Sequence, residues 1–135
     1  MAFGHLHIKN SIGIFGENAA VDLLKKKGFR ILERNWKIGP LEVDIIADNK
    51  DTIVFAEVKT RTSIFGKRPE EFADKEKQRH MVSAAKAYIK CTRCTKAPRF
   101  DIIGVLADKD CKEIVEVSHL EDAFHPKARV YGVQI

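Results

Sequence analysis

The chain reads as a single α/β domain in which a central mixed sheet of about five strands lies between helices. Three observations carry that expectation. The 135 residues suffice to close one hydrophobic core without disulfide or metal staples. Apolar residues recur at helical spacing in two segments and follow a strand-like pattern in five others. The resulting order is helix, three strands, helix, two strands, with no internal repeat or low-complexity linker, so residues 1–135 form one domain. Its ends, 1–10 and 126–135, are expected to be flexible.

Taken in order, "GIFGENAAVDLLKKK" from Gly13 to Lys27 sets Phe15, Ala19 or Ala20, Leu23 and Leu24 on one helical face. Lys25, Lys26 and Lys27 suit the negative end of its dipole, and Gly28 is a C′ stop. "FRILERNW" alternates loosely and predicts a strand, closed by the turn "KIGP". Strands follow near Leu41 to Ala47 and Thr52 to Thr60. "TSIFGKRPEEF", with Gly66 and Pro69, is expected to be an exposed loop. In "DKEKQRHMVSAAKAYIK", Met81, Ala84 or Ala85, Tyr88 and Ile89 repeat at helical spacing, a second helix of roughly four turns. "RFDIIGVLA" and "EIVEVSHL" are strands flanking the turn "DKDCK", and "LEDAF" is a candidate short final helix.

The second and third strands carry acids where a core strand should not. Strict alternation puts Leu41, Val43, Ile45 and Ala47 on one side and Glu42, Asp44 and Ile46 on the other. On the next strand Val54, Ala56 and Val58 oppose Ile53, Phe55, Glu57 and Lys59. Any even-length loop within "DNKD" brings Asp44 to the side of Glu57 and Lys59: a two-residue loop at Lys50 and Asp51 pairs Asp44 directly with Glu57, one at Asn49 and Lys50 leaves them diagonal, and an odd loop would separate them. Two carboxylates so close repel unless a proton, a cationic side chain or a metal neutralises them. Oxygen ligands suit Mg²⁺ or Mn²⁺ better than zinc. A surface salt-bridge ladder of Glu42, Asp44, Glu57 and Lys59 fits the same spacing, because a carboxylate two residues before a lysine is a frequent pattern in charged chains.

Composition bounds the function. With 44% hydrophobic and 32% charged residues the chain is an ordinary globular protein. No apolar run approaches a membrane span, and "MAFGHLHIKN" lacks the pattern of a signal peptide, so a cytoplasmic location is expected. Cys91, Cys94 and Cys111 are odd in number and expected to be reduced. Cys91 and Cys94 have the spacing of half a zinc site, which Cys111 with His119 or His125 could complete, but no second such pair exists and zinc is not expected. A formal charge of +5 and a pI near 9.2 permit an anionic partner such as nucleic acid. Basic residues cluster at Lys25 to Lys27, Arg30, Arg34 and Lys37, and again around the acids at Lys59, Arg61, Lys67, Arg68, Lys75, Lys77 and Arg79. Arg61, Lys67, Arg68 and Arg79 are the candidates for phosphate contacts. Trp36 and Phe65 could stack on bases, although core packing suits Trp36 better. His5 and His7 are assigned to a frayed end and His80 to a solvated helix face.

Asp44, followed twelve residues later by Glu57, Val58 and Lys59, resembles the D…(D/E)-x-K signature of the PD-(D/E)XK nuclease superfamily. The segments "GIFGENAA", "ILERNW", "EVDIIA", "VFAEVKTR", "RFDII" and "HLEDAF" together resemble one branch of it, the YraN-type family of uncharacterised, predicted endonucleases, similar to archaeal Holliday-junction resolvases. The resemblance covers nearly the whole chain. It implies a restriction-endonuclease-like three-layer α/β/α sandwich. It also implies that Asp44, Glu57 and the backbone carbonyl of Val58 hold Mg²⁺ or Mn²⁺, that Lys59 positions or activates water, and that Glu17 supplies an additional acid. Gln78 matches a commonly polar family position and is a weaker candidate for a site contact. Val43 stands where the superfamily's proline would be, and Leu41 replaces a glycine common among relatives.

The expected function is a Mg²⁺-dependent endonuclease hydrolysing DNA phosphodiester bonds, in one form structure-selective and resolvase-like, with branched DNA as substrate. A homodimer would suit a symmetric branched substrate, since one cut per strand needs two sites. Two other readings stand beside it. One is a nucleic-acid-binding module with the nuclease fold but little activity alone; the other is a structural subunit whose acidic cluster is a remnant.

Overall fold

A computed structural model describes residues 2–62, 74–110 and 112–126, with the side chains of the first helix described from Gly13 onward. The element order is α1 (Ala2–Lys26), β1 (Arg30–Ile38), β2 (Leu41–Asp48), β3 (Thr52–Thr62), α2 (Lys75–Thr92), β4 (Ala97–Ala107) and β5 (Ile114–Leu120). The strands form one sheet in sequence order. Among the described strands only the β3–β4 pair is parallel. A parallel pair needs a crossover connection, and α2 lies within it.

Helices cover both faces. Ala20, Val21 and Leu24 of α1 pack with Ile45, Ala47, Val54, Ala56, Ile103 and Val105. On the other face Met81, Ala84, Ala85 and Tyr88 of α2 pack with Val43, Ile46, Ile53, Phe55 and Phe100. The result is a three-layer α/β/α sandwich of the restriction-endonuclease-like kind. Central strands buried on both faces explain the near-continuous apolar runs of β2, β3 and β4. Trp36 joins the α2 layer, its ring edge-on to Tyr88 at 5.1 Å, so it serves the core. No described helix is long and apolar enough to cross a membrane.

Local chemistry sets the element ends. Gly28, at φ +92°, stops α1: its amide donates to Lys25 O at 3.0 Å and that of Phe29 to Leu24 O at 3.0 Å. This is a Schellman ending, with Phe29 and Leu24 both buried in the α1-side core. Asp74 caps α2 by accepting from the Lys77 amide at 2.8 Å. The other end of α2 turns through Arg93 in the left-handed region, φ 56°. Asn49 builds the β2–β3 turn, its Oδ1 accepting from the amides of Asp51 at 3.0 Å and Thr52 at 2.8 Å. With the Asn49 amide donating to Thr52 O, the loop is the two-residue Lys50–Asp51 connection, one of the two even loops that the sequence left open.

Three local expectations are corrected. The backbone of α1 is already helical at Ala2 rather than beginning at Gly13. "LEDAF" is not a helix: Leu120 ends β5 and Glu121–Asp122 turn, with Asp122 at φ 56°. The turn persists because Asp101 Oδ1 accepts from the Asp122 amide at 3.0 Å and Phe100 O from that of Ala123 at 2.7 Å. Third, β2 does not keep Leu41, Val43, Ile45 and Ala47 on one side. Ile45 and Ala47 face α1, whereas Leu41 and Val43 pack in the α2 layer. The neighbouring strand switches with it, since Arg34 reaches Glu17 on α1 while Trp36 packs toward α2. Between them lies Asn35 at φ 51°, a conformation asparagine tolerates better than most residues.

Candidate metal and catalytic site

The switch of faces falls at Asp44. The β2–β3 ladder runs from Asp48↔Ile53 to Ile45↔Ala56 and stops one step short of Asp44 and Glu57. Where the next backbone acceptor would stand, Asp44 Oδ2 instead accepts from the Val58 amide at 2.8 Å. A strand residue presents its N–H and C=O to the same edge in an antiparallel ladder, so the Val58 carbonyl faces the same opening. Asp44 is half-buried there. Burial, and then repulsion from Glu57, push its carboxyl up to about 7 against the opposing pull of the Val58 amide and the Lys77 charge.

Glu57 is 4% exposed and on the α2 side of β3, like Ile53 and Phe55. Lys59 Nζ lies 3.2 Å from its Oε2 and Lys77 Nζ 3.4 Å from its Oε1. The second contact is an ion pair without hydrogen-bond geometry, and Oε1 is buried with no hydrogen-bond partner among the described residues. An anionic oxygen in that state invites a cation. Asp44, Glu57 and Lys59 thus converge as the even loop implied, although Asp44 arrives through a break in alternation.

The donor set fits a hard divalent ion. Two carboxylates and a backbone carbonyl are all oxygen, and Mg²⁺ is commonly held by one or two carboxylates, the rest of its shell being water and substrate phosphate. No cluster of three or more His, Cys, Asp or Glu side chains suited to a metal occurs among the described residues. Glu17, the additional acid that the resemblance implies, has partners of its own. It is buried on α1, its Oε1 accepting from Arg34 Nε and Nη2 at 3.0 and 2.7 Å and from Asn35 Nδ2 at 3.2 Å. Glu17 is thus tied to the twisted part of β1 beside Asp44 rather than to Glu57.

Of the remaining candidates, Gln78 is half-buried in the first turn of α2, next to Lys77. Arg61 is exposed at the end of β3, with Nη1 donating to Thr60 O at 2.9 Å, and Arg79 is exposed on α2. Lys67 and Arg68 lie outside the described residues, as do Phe65 and Cys111. Cys91 is an exposed free thiol, and Cys94 packs against the α2 core. Within the first basic cluster, Arg30 and Arg34 are engaged in ion pairs with Asp48 and Glu17.

Two features escaped sequence reasoning. Lys77 was visible only as one charge in a basic run; its contact with Glu57 is made across the α2–β3 interface. The other is the Asp101 network. Asp101 is fully buried and accepts from Arg99 Nε and Nη2 at 2.9 and 2.8 Å, while His119 Nε2 stands 2.7 Å from its Oδ2. With Lys27 Nζ donating to His119 Nδ1 at 2.9 Å, the imidazole proton is assigned to Nε2 and points at Asp101. Burial would push the Asp101 carboxyl up, but His119, Arg99 and the Asp122 amide outweigh it and hold the group below its usual range. The partners of Asp101 lie on β4, β5 and the turn after it, and Lys27 adds the end of α1, so the network joins these elements.

Comparison with known proteins bears on the same residues. The model of the uncharacterised protein family UPF0102 matches residues 16–105, a span that includes Glu17, Asp44, Glu57, Lys59 and Lys77. The UPF0102 protein FP2501 of Flavobacterium psychrophilum is 41% identical over 116 residues, 86% of this chain and 95% of the relative. The UPF0102 protein TTE1452 of Caldanaerobacter subterraneus subsp. tengcongensis is 42% identical over 117 residues, covering 86% and 96%. A UPF0102 protein of Bacteroides thetaiotaomicron is 39% identical over 117 residues, covering 87% and 94%.

Proposed function

The chain belongs to the uncharacterised protein family UPF0102, the YraN family, and from that membership and the geometry at Asp44 we propose that it is a divalent-metal-dependent endonuclease hydrolysing DNA phosphodiester bonds. One observation carries the reading. The sheet stops pairing where two acids meet, and one of them holds a buried oxygen without a hydrogen-bond partner among the described residues. A ladder of solvated surface salt bridges, the alternative open at the sequence level, would not bury Glu57 to 4% exposure.

Asp44, Glu57 and the Val58 carbonyl would hold Mg²⁺ or Mn²⁺. When bound, such an ion lowers the pKa of a coordinated water and neutralises the scissile phosphate. Lys59, fixed 3.2 Å from Glu57 Oε2, holds a positive charge where an attacking water or a phosphoryl oxygen would lie and stabilises the negative charge that develops there. Glu17 acts through β1, holding Arg34 and Asn35 beside Asp44. Arg61 and Arg79 are exposed, and they are the proposed contacts to backbone phosphates, which position a duplex without reading its sequence. A structure-selective, resolvase-like activity on branched DNA by a homodimer is one form of this function.

The test is a cleavage screen with Mg²⁺ or Mn²⁺ over single-stranded, duplex and branched DNA, with Lys59→Ala as the contamination control. Cleavage by the native chain should fall by about 10²–10³-fold in Lys59→Ala while DNA binding persists. Undiminished cleavage in the variant would sink the mechanism. Binding that is salt-sensitive but without cleavage in any metal would favour a nucleic-acid-binding module, a reading that the two-carboxylate donor set keeps open.

A further inference from the structure

We infer that Lys77 is a positioning residue that serves as an internal counter-cation: its ammonium holds Glu57 Oε1 in the metal-free site and competes with the divalent ion for that carboxylate. The inference rests on the metal-site reading above and adds to it how loading is controlled.

The geometry assigns the two lysines different tasks. Lys59 leaves the same strand as Glu57, two residues on, and pairs with Oε2. Lys77 comes from another layer, the first turn of α2, and approaches Oε1 at 3.4 Å. Oε1 is the oxygen that lacks a hydrogen bond, so Lys77 neutralises it by charge without satisfying its directional lone pairs. Lys77 also acts favourably on Asp44, whereas Glu57 acts against it. One ammonium therefore offsets repulsion between both proposed ligands, the task a bound divalent ion would take over.

A cation beside the ligands helps the apo site and hinders the holo site, because it repels an arriving ion. The Lys77 side chain is 35% exposed on a long flexible stem, which gives it room to swing toward solvent or a phosphate when the ion enters. Its backbone, by contrast, is fixed by the Asp74 cap at 2.8 Å. Metal loading is thereby coupled to a head-group movement at the start of α2, with no change of fold required.

The experiment is calorimetric titration of Mn²⁺ into the native chain and into Lys77→Met, Lys77→Gln and Lys77→Arg, with melting in EDTA run in parallel. The uncharged variants should bind Mn²⁺ on the order of tenfold more tightly and melt lower in EDTA, while Lys77→Arg stays near native in both. A merely structural lysine could lower the melting temperature but would not raise metal affinity. Equal or weaker Mn²⁺ binding in both uncharged variants, with binding intact in the native chain, overturns the role of Lys77 and leaves the metal site standing. Absence of Mn²⁺ binding in the native chain and all three variants overturns the metal site itself.

Discussion

Asp44→Asn should make the metal-free protein more stable at pH 8. The aspartate carboxyl is raised from 3.8 to about 7, by burial first and by Glu57 second. Between those values the folded chain holds a proton that the unfolded chain has released, so stability falls as pH rises from about 4 to about 7 and levels off above. At about 1.4 kcal/mol per pKa unit, ionised Asp44 costs on the order of 4 kcal/mol at most. Asparagine removes the charge but keeps an oxygen for the Val58 amide, now bonded at 2.8 Å. At roughly 4 °C per kcal/mol for a domain of this size, the variant should melt about 5–15 °C above the native chain in EDTA at pH 8. At pH 4 the two should melt together. Adding Mn²⁺ at pH 8 should raise the native curve and leave the variant where it was. Thermal unfolding followed by circular dichroism at both pH values decides the matter. A variant no more stable than native at pH 8 would refute the claim that the two acids are strained together without metal.

Two further substitutions test the frame around the site. A Cβ on Gly16 would meet Thr60 Oγ1 at 1.8 Å and Thr60 Cβ at 2.9 Å, so Gly16→Ala should cost about 1–3 kcal/mol by lifting α1 from β3; an unchanged urea midpoint would show that the helix is not seated there. Arg93→Gly relieves a left-handed residue at the end of α2 and should stabilise by about 1 kcal/mol, read as a higher urea midpoint with unchanged slope; a lower midpoint would show that the arginine side chain contributes more than its backbone strain costs.

Much of the fold was legible because each signal was local. Gly28 could be read as a stop, since a left-handed position after a helix asks for glycine, and the sides of α1 and α2 followed from spacing: Ala20 and Leu24 on one, Met81, Ala84, Ala85 and Tyr88 on the other. The acids were legible through loop parity, because Lys50 and Asp51 alone form the turn. The remainder depended on contacts between distant segments. Strict alternation could not anticipate the switch at Asn35 and Asp44, which needs a positive φ in one strand and a broken ladder in the next. Lys77 was hidden because nothing in its own segment distinguishes it from Lys75, and only the packing of α2 on β3 selects it. "LEDAF" misled because its helix-forming residues are overruled by Asp101, whose carboxylate claims the Asp122 amide.

The switch of faces in the β1–β2 ribbon also decides who controls Asp44. One end of the ribbon is gripped by both layers, Ile45 and Ala47 beneath α1 and Ile46 and Leu32 beneath α2, and the other by the α2 layer through Leu41, Val43 and Trp36, so the acid sits at the pivot of a lever with a load on each arm. Neither core alone determines its position. Repacking around Leu24 on one arm, or around Trp36 and Tyr88 on the other, would tilt the ribbon and move the carboxylate relative to Glu57. A family that needed to tune this pair of acids could do so from the interior, leaving both carboxylates in place.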